Sequence, residues 1–157
     1  MAEATKLAQS FDTTHWLITE FISGMTHEES LAQPRFRANS VNWVLGHIVI
    51  SRNRVLALLA EEPALTADEE VLYRTDSEPD ATRAVALERL VAALDDSQAR
   101  IKAALQMISP ERLSAIYDKE RQRTVADLIA GLHWHETYHT GQLEVLRQVS
   151  AERKPFP

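Results

Sequence analysis

In four long stretches of this chain apolar residues recur every three or four positions, and nowhere do they alternate with period two over a useful length. That pattern makes helices with one apolar stripe and gives a sheet no buried face. Over residues 3–25 the stripe is Leu7, Phe11, Ile18, Phe21, Ile22 and Met25. Over 39–61 it is Val41, Val44, Leu45, Ile48, Val55 and Leu59. Asn39 or Ser40 can cap this second helix, and Pro63 ends it. Asp80 reads as the cap of a third helix over 81–108, with Leu87, Leu90, Val91, Leu94, Ile101, Leu105 and Ile108 inward and Ser109-Pro110 as its stop. Thr124-Val125-Ala126-Asp127 reads as a capping box that opens a fourth helix over 125–149.

Between these helices the periodicity fails. Pro63, Asp68, Asp76, Ser77, Pro79 and Asp80 make residues 62–80 a loop with at most a short turn at 68–72. Residues 111–123 are a polar connection, and Lys154-Pro155-Phe156-Pro157 reads as an extended tail. There is no internal repeat, low-complexity tract or linker, and 157 residues suit one domain spanning 1–157. Four long helices without strands predict an all-α, four-helix bundle. The long 62–80 connection can cross the bundle, so the topology need not be up-down-up-down.

Composition excludes several classes. The chain has no cysteine, so a disulfide, a thiolate ligand and a thiol nucleophile are all impossible from its own residues. That suits a reducing, cytoplasmic setting. The formal net charge of -6 disfavours a nucleic-acid surface. No apolar run approaches the ~20 residues of a membrane span, and Met1-Ala2-Glu3-Ala4-Thr5-Lys6 lacks the basic-then-apolar order of a secretory signal.

The chemistry concentrates in His133-Trp134-His135-Glu136-Thr137-Tyr138-His139-Thr140-Gly141-Gln142. On a helix His135 and His139 are i and i+4, one above the other. They fall on the side of Leu128, Leu132, Leu143 and Leu146. A buried imidazole atom left unpaired costs about 1–3 kcal/mol, so these rings need partners. His47 lies at the border of the second helix's stripe, near Val44, Ser51 and Leu58. If both stripes face one core, His47 reaches the pair. Three neutral imidazoles suit a borderline divalent ion, zinc or nickel first and ferrous iron also, with one coordination position left open. Water there would titrate near ~7, and the position equally accepts a thiolate or a carbonyl oxygen. The competing reading is three hydrogen-bonded core histidines. His133 points about 200° from His135 and reads as peripheral, and His15 and His27 read as surface residues.

His135-Glu136-x-x-His139 also matches the zincin protease pattern. That fold needs a third ligand well downstream, where only Glu144 and Glu152 are acidic, and an edge strand for substrate. Neither requirement is met.

Asn42-Trp43-x-x-Gly46-His47, followed by His135-x-x-x-His139-x-Gly141-Gln142-x-x-x-Leu146-Arg147, resembles the DinB/YfiT-like family, as does the Ala32-Gln33-Pro34 approach to the second helix. The resemblance implies a bundle with an unusual crossover, a metal site at one end held by His47, His135 and His139, and a homodimer. It also implies activities such as metal-dependent hydrolysis or S-transfer with a low-molecular-weight thiol like bacillithiol or mycothiol. Glu136 is not required by the family pattern and reads as a salt-bridge residue on the bundle surface ahead of a general base.

The leading expectation is therefore a metal-dependent enzyme for a small-molecule substrate, a hydrolase or a thiol S-transferase. Gln142 stands one turn after His139 to hydrogen-bond a ligand or simply to pack. Tyr138 and Trp43 are candidates for the pocket wall, Arg54 for an anionic group of the substrate, and loop 62–80 for specificity. The alternatives are a non-catalytic, stress-associated metal- or ligand-binding bundle and a pure interaction protein.

Overall fold

The computed structural model describes residues 2–35 and 38–150, so the tail expected at 154–157 lies outside the described residues. Four long helices dominate: α1 (Ala2–Ile22), α3 (Val41–Leu58), α5 (Leu87–Met107) and α7 (Val125–Ser150). Between them lie three single-turn helices, α2 (His27–Leu31), α4 (Ala67–Val71) and α6 (Pro110–Ser114), and a two-stranded antiparallel hairpin, β1 (Ile116–Asp118) with β2 (Arg123–Thr124). The all-α bundle expected from the sequence is the fold observed.

α1 and α3 each pack against both α5 and α7, which puts α1 and α3 at opposite corners of a square. The pairings give the directions. Phe11 meets His133 and Thr14 meets Glu136, so α1 and α7 run parallel. Asp12 meets Lys102 and His15 meets Asp95, so α1 and α5 are antiparallel. Asn42 meets Val85 and Arg52 meets Ser97, making α3 and α5 parallel. The order is thus up-down-down-up. The connection from α3 to α5 must return the length of the bundle, which is the crossover anticipated.

Several boundaries differ from expectation. α1 ends at Ile22, not 25, because Gly24 turns the chain at φ +67. α3 opens where Ser40 accepts the Trp43 N–H, but it stops at Leu58, with Ala60 at φ 63. The third long helix starts at Leu87 and not at 81. Asp80 does accept a backbone N–H, that of Thr82, but the turn goes no further. The Val85 N–H is taken by the Tyr73 hydroxyl and its carbonyl by Asn42, so the chain there is committed to the crossover. The 62–80 loop contains α4, built by a capping box of Thr66 and Glu69. The expected absence of strands is corrected by the β1–β2 hairpin, whose turn holds Gln122 at φ 52 and whose Asp118 accepts two backbone N–H groups.

The core is filled by Phe11, Ile18, Leu45, Ile48, Leu56, Leu90, Leu94 and Ile101, all fully buried. Two of its members are charged. Arg52 fills the gap between Ile48 and Val55 on α3, and Glu136 stands on the most buried line of α7 with Ile129, Thr140 and Leu143. The inward face of α7 is therefore turned by about one residue from the leucine stripe read in the sequence, and His135 and His139 sit half-buried on its shoulder. Among the described residues no helix is long and apolar enough to cross a membrane.

Candidate metal centre

His47 on α3 meets His135 and His139 on α7. The His135 Nε2 stands 3.4 Å from the His47 Nε2 and 3.1 Å from the His139 Nε2. All three ligand atoms lie within 4.8 Å of one another. Nitrogens about 2.0–2.1 Å from one ion, at octahedral to tetrahedral angles, stand about 2.8–3.4 Å apart. The two closest separations fall in that interval.

Each ring's other nitrogen has a partner, and these partners decide the tautomers. The His47 Nδ1 lies 2.7 Å from the Tyr73 carbonyl oxygen, which can only accept, so Nδ1 carries the proton and Nε2 is left as a donor to metal. His139 Nδ1 lies 2.7 Å from Gln142 Oε1, with the same consequence. His135 Nδ1 lies 3.2 Å from the Ser51 hydroxyl, which can accept or donate. Outer partners of this kind set ring orientation in metal sites. The donor set fits a divalent ion.

The sequence around His47 exists to hold this arrangement. The Tyr73 ring lies against Gly46 so closely that a Cβ added there would come within 2.4 Å of ring carbons. The Tyr73 hydroxyl donates to Asn42 Oδ1 at 3.0 Å and accepts from the Val85 N–H at 2.8 Å. Trp43 stacks on the His47 ring, with centroids 4.9 Å apart, and its indole N–H donates to Ser77. Asn42, Trp43, Gly46 and His47 thus form one clamp on the crossover.

Electrostatics keep the rings ready for an ion. Burial is the main force pulling His139 down from 6.5 to about 4; His47 and His135 add to it, and the Gln142 hydrogen bond opposes it. Burial also lowers His135, helped by His47 and Arg54 and opposed by Glu136. Both are neutral, and so able to ligate, at pH 7.

A cleft of about 1060 Å³ adjoins the cluster. Trp43, Tyr138 and Gln142, all touching ligand rings, line it, and residues 75–79 of the crossover form another wall. Asp76 and Glu78 are its only charged residues among the described lining. Arg54 is exposed and close enough to His135 to depress its pKa, but it is not part of this lining.

Of the residues singled out in the sequence, His47, His135, His139 and Gln142 come together. Glu136 does not join them. It is a salt-bridge residue, but it is buried rather than at the surface: both carboxylate oxygens accept from Arg52 at 2.8 Å, and one also accepts from Thr14. Its carboxylate is buried against a guanidinium and is not one of the groups that converge. His15 pairs with Asp95, and His27 Nδ1 accepts the Leu87 N–H, a tie to the bundle that a free surface residue would lack. His133 is half-buried in a T-shaped contact with the Phe11 ring, more enclosed than a peripheral residue. Ser51 and Tyr73 were given no role by the sequence. Ser51 carried a signal, since it follows His47 by one turn on the same border. The Tyr73 carbonyl carried none, because any residue supplies one.

A family model described as the DinB superfamily matches residues 10–143. No curated protein matches. Among solved structures, the crystal structure of the conserved protein of locus from Enterococcus faecalis is similar, with a TM-score of 0.77 at 22% identity over 95% of this chain and 97% of that chain. At that identity the likeness speaks for the fold alone.

Proposed function

Because this chain belongs to the DinB superfamily and brings three imidazole nitrogens to one point, we propose that it is a metal-dependent enzyme acting on a small molecule, first of all a hydrolase. The observation that carries the reading is the orientation of the rings: the Nδ1 atoms are engaged outward and the Nε2 atoms converge. Zinc or nickel suits this donor set best, and ferrous iron fits it. Such an ion supplies Lewis acidity and lowers the pKa of a water or thiol taken into its open position.

The protein's own groups supply the rest. Trp43 and Tyr138 offer the apolar walls of the cleft. Gln142 has its carbonyl committed to His139 and keeps its amide N–H groups to donate to a substrate oxygen. A second reading, S-transfer with a low-molecular-weight thiol, meets an obstacle at Asp76 and Glu78. A thiol bearing carboxylates would face like charge there, with no cation among the described lining residues to offset it. This favours water as the nucleophile.

The test has two parts. Protein purified without chelator should carry close to one divalent ion per chain, and a His135→Ala variant should carry almost none; equal, negligible metal in both would sink the site. The loaded protein should then hydrolyse members of an ester, amide and lactone panel. Turnover only with added thiol would move the assignment to S-transfer. No turnover beside a large melting shift on chelation would make the ion structural.

A further inference from the structure

One residue along from the Ser51–His135 contact, the same two helices make a second and much stronger one. Arg52 follows Ser51 and Glu136 follows His135. The Arg52 Nε and one terminal nitrogen donate to the two Glu136 oxygens, both at 2.8 Å, as a parallel fork. The side chains are 0% and 1% exposed. The other guanidinium nitrogen donates to the Leu94 carbonyl at 3.2 Å and to Ser97 Oγ at 3.4 Å. Thr14 donates to Glu136. This one network therefore touches α1, α3, α5 and α7.

Stability is a poor explanation for it. Replacing a buried ion pair with apolar side chains of similar volume is often neutral or stabilising, because desolvation takes back the Coulomb gain. Ile48 and Val55 flank Arg52 on α3, and Ile129 and Leu143 lie on the line of Glu136 on α7, so methionine at 52 and leucine at 136 would join apolar core. What the fork has and an apolar pair lacks is a fixed geometry: two parallel bonds admit one register and one rotation of α7 against α3. Sliding α7 by one residue would move its ligands about 1.5 Å and turn them about 100°. Metal ligands tolerate about 0.2 Å. The Ser51–His135 contact, a single neutral bond of 3.2 Å, is too weak to hold that tolerance.

We infer that the Arg52–Glu136 pair is the positioning device that fixes α3 against α7 in the register where His47, His135 and His139 converge. The inference rests on the metal-site reading above. Glu136 acts through its chain neighbour His135 and does not touch the ion.

The decisive variant is Arg52→Met combined with Glu136→Leu, titrated with cobalt(II) alone. It should melt at or above the wild-type temperature without metal. Its cobalt(II) affinity should fall about 10–100-fold, the usual scale for losing an outer-shell support, and the visible cobalt bands should change in shape. Wild-type affinity and spectrum in this variant would overturn the inference and leave the metal site standing. A wild-type protein that binds no cobalt(II) would instead overturn the metal reading, and the inference with it. If the double variant fails to fold, Arg52→Lys decides, since it keeps the charge and loses the fork. Its affinity should fall at least tenfold with helicity retained, and an affinity within twofold of wild type refutes the inference.

Discussion

Replacing Gly46 with alanine tests the clamp on the crossover most sharply, because two effects of known size oppose each other. In an open helix interior, glycine to alanine stabilises by about 1 kcal/mol. At Gly46 the new Cβ would meet three Tyr73 ring carbons at 2.4, 2.4 and 2.6 Å, where carbon atoms ordinarily rest about 3.5–4.0 Å apart. The ring must give by roughly 1 Å. It has little room, for Tyr73 is 2% exposed and is tied through its hydroxyl to Asn42 and Val85 and through its carbonyl to His47. Overpacking of this kind costs about 1–3 kcal/mol, and each hydrogen bond pulled out of line loses about 1 kcal/mol more. Against the helix gain, the net is a destabilisation of about 2–3 kcal/mol. For a chain of this size that lowers the melting temperature by about 4–12 °C. Because the Tyr73 carbonyl sets the His47 tautomer, metal affinity should fall about 10–100-fold as well. Thermal melts followed by circular dichroism, with competitive metal titration, read both effects. The same substitution in a Tyr73→Ala background should become stabilising by about 1 kcal/mol, since the clash is gone. A Gly46→Ala variant that melts at or above wild type, with unchanged metal affinity, would refute the reasoning.

The remaining predictions concern the ion and protons. Metal at a hundredfold excess over its Kd should add about 2.7 kcal/mol to the folded state, so a chelator should lower the melting temperature by about 5–11 °C, and the His47→Ala variant should show no chelator effect. In metal-free protein His139 stays neutral down to about 4, whereas the unfolded chain protonates it near 6.5. The unfolded state therefore binds more protons in that window, and stability falls as pH drops from 6.5 towards 4 and is flat above it. Melts of chelated protein across this range should show the decline, and His139→Leu should remove part of it; an identical slope in the variant would count against a depressed His139.

How much of this could be read from the sequence depends on the period of each signal. The helices and the His135–His139 pair are local, repeating every three to four residues, and they were legible. The convergence of His47 was legible as a border position that reaches the pair if both stripes face one core, and the family likeness pointed to the same residue. Two kinds of feature stayed hidden. The crossover's grip on α3 runs through the Tyr73 ring, hydroxyl and backbone carbonyl, and no periodicity links positions 46 and 73. The rotation of α7 was hidden by an assumption, that a charged residue faces water. Glu136 takes the core line and Leu128 and Leu132 drift to the shoulder, while Leu143 and Leu146 stay in the core, because Arg52 supplies the opposite charge from α3. The signal existed as a pair of interrupted stripes, one holed at Arg52 and the other at Glu136. Only their opposite signs could have suggested that each hole fills the other.

The three Nδ1 partners differ in a way that assigns the rings different freedoms. Tyr73 offers His47 a carbonyl and Gln142 offers His139 one, and a carbonyl cannot donate. Those two rings, while neutral, therefore keep Nε2 as a bare lone pair. The His135 Nε2 stands 3.4 Å from that of His47 and 3.1 Å from that of His139, and bare lone pairs so close repel one another unless a cation or a proton lies between them. Ser51 alone can reverse its role, accepting from His135 Nδ1–H or donating to a bare Nδ1. His135 is thus the one ring that can turn its proton inward to bridge its neighbours, then outward to leave three lone pairs for an ion. Passing between these states needs one ring proton released to solvent on one side of His135 and one taken up on the other, with a turn of the Ser51 hydroxyl hydrogen. A site so arranged needs a rigid register more than it needs flexibility, and that is what the buried fork beside His135 and the clamp beside His47 provide from its two sides.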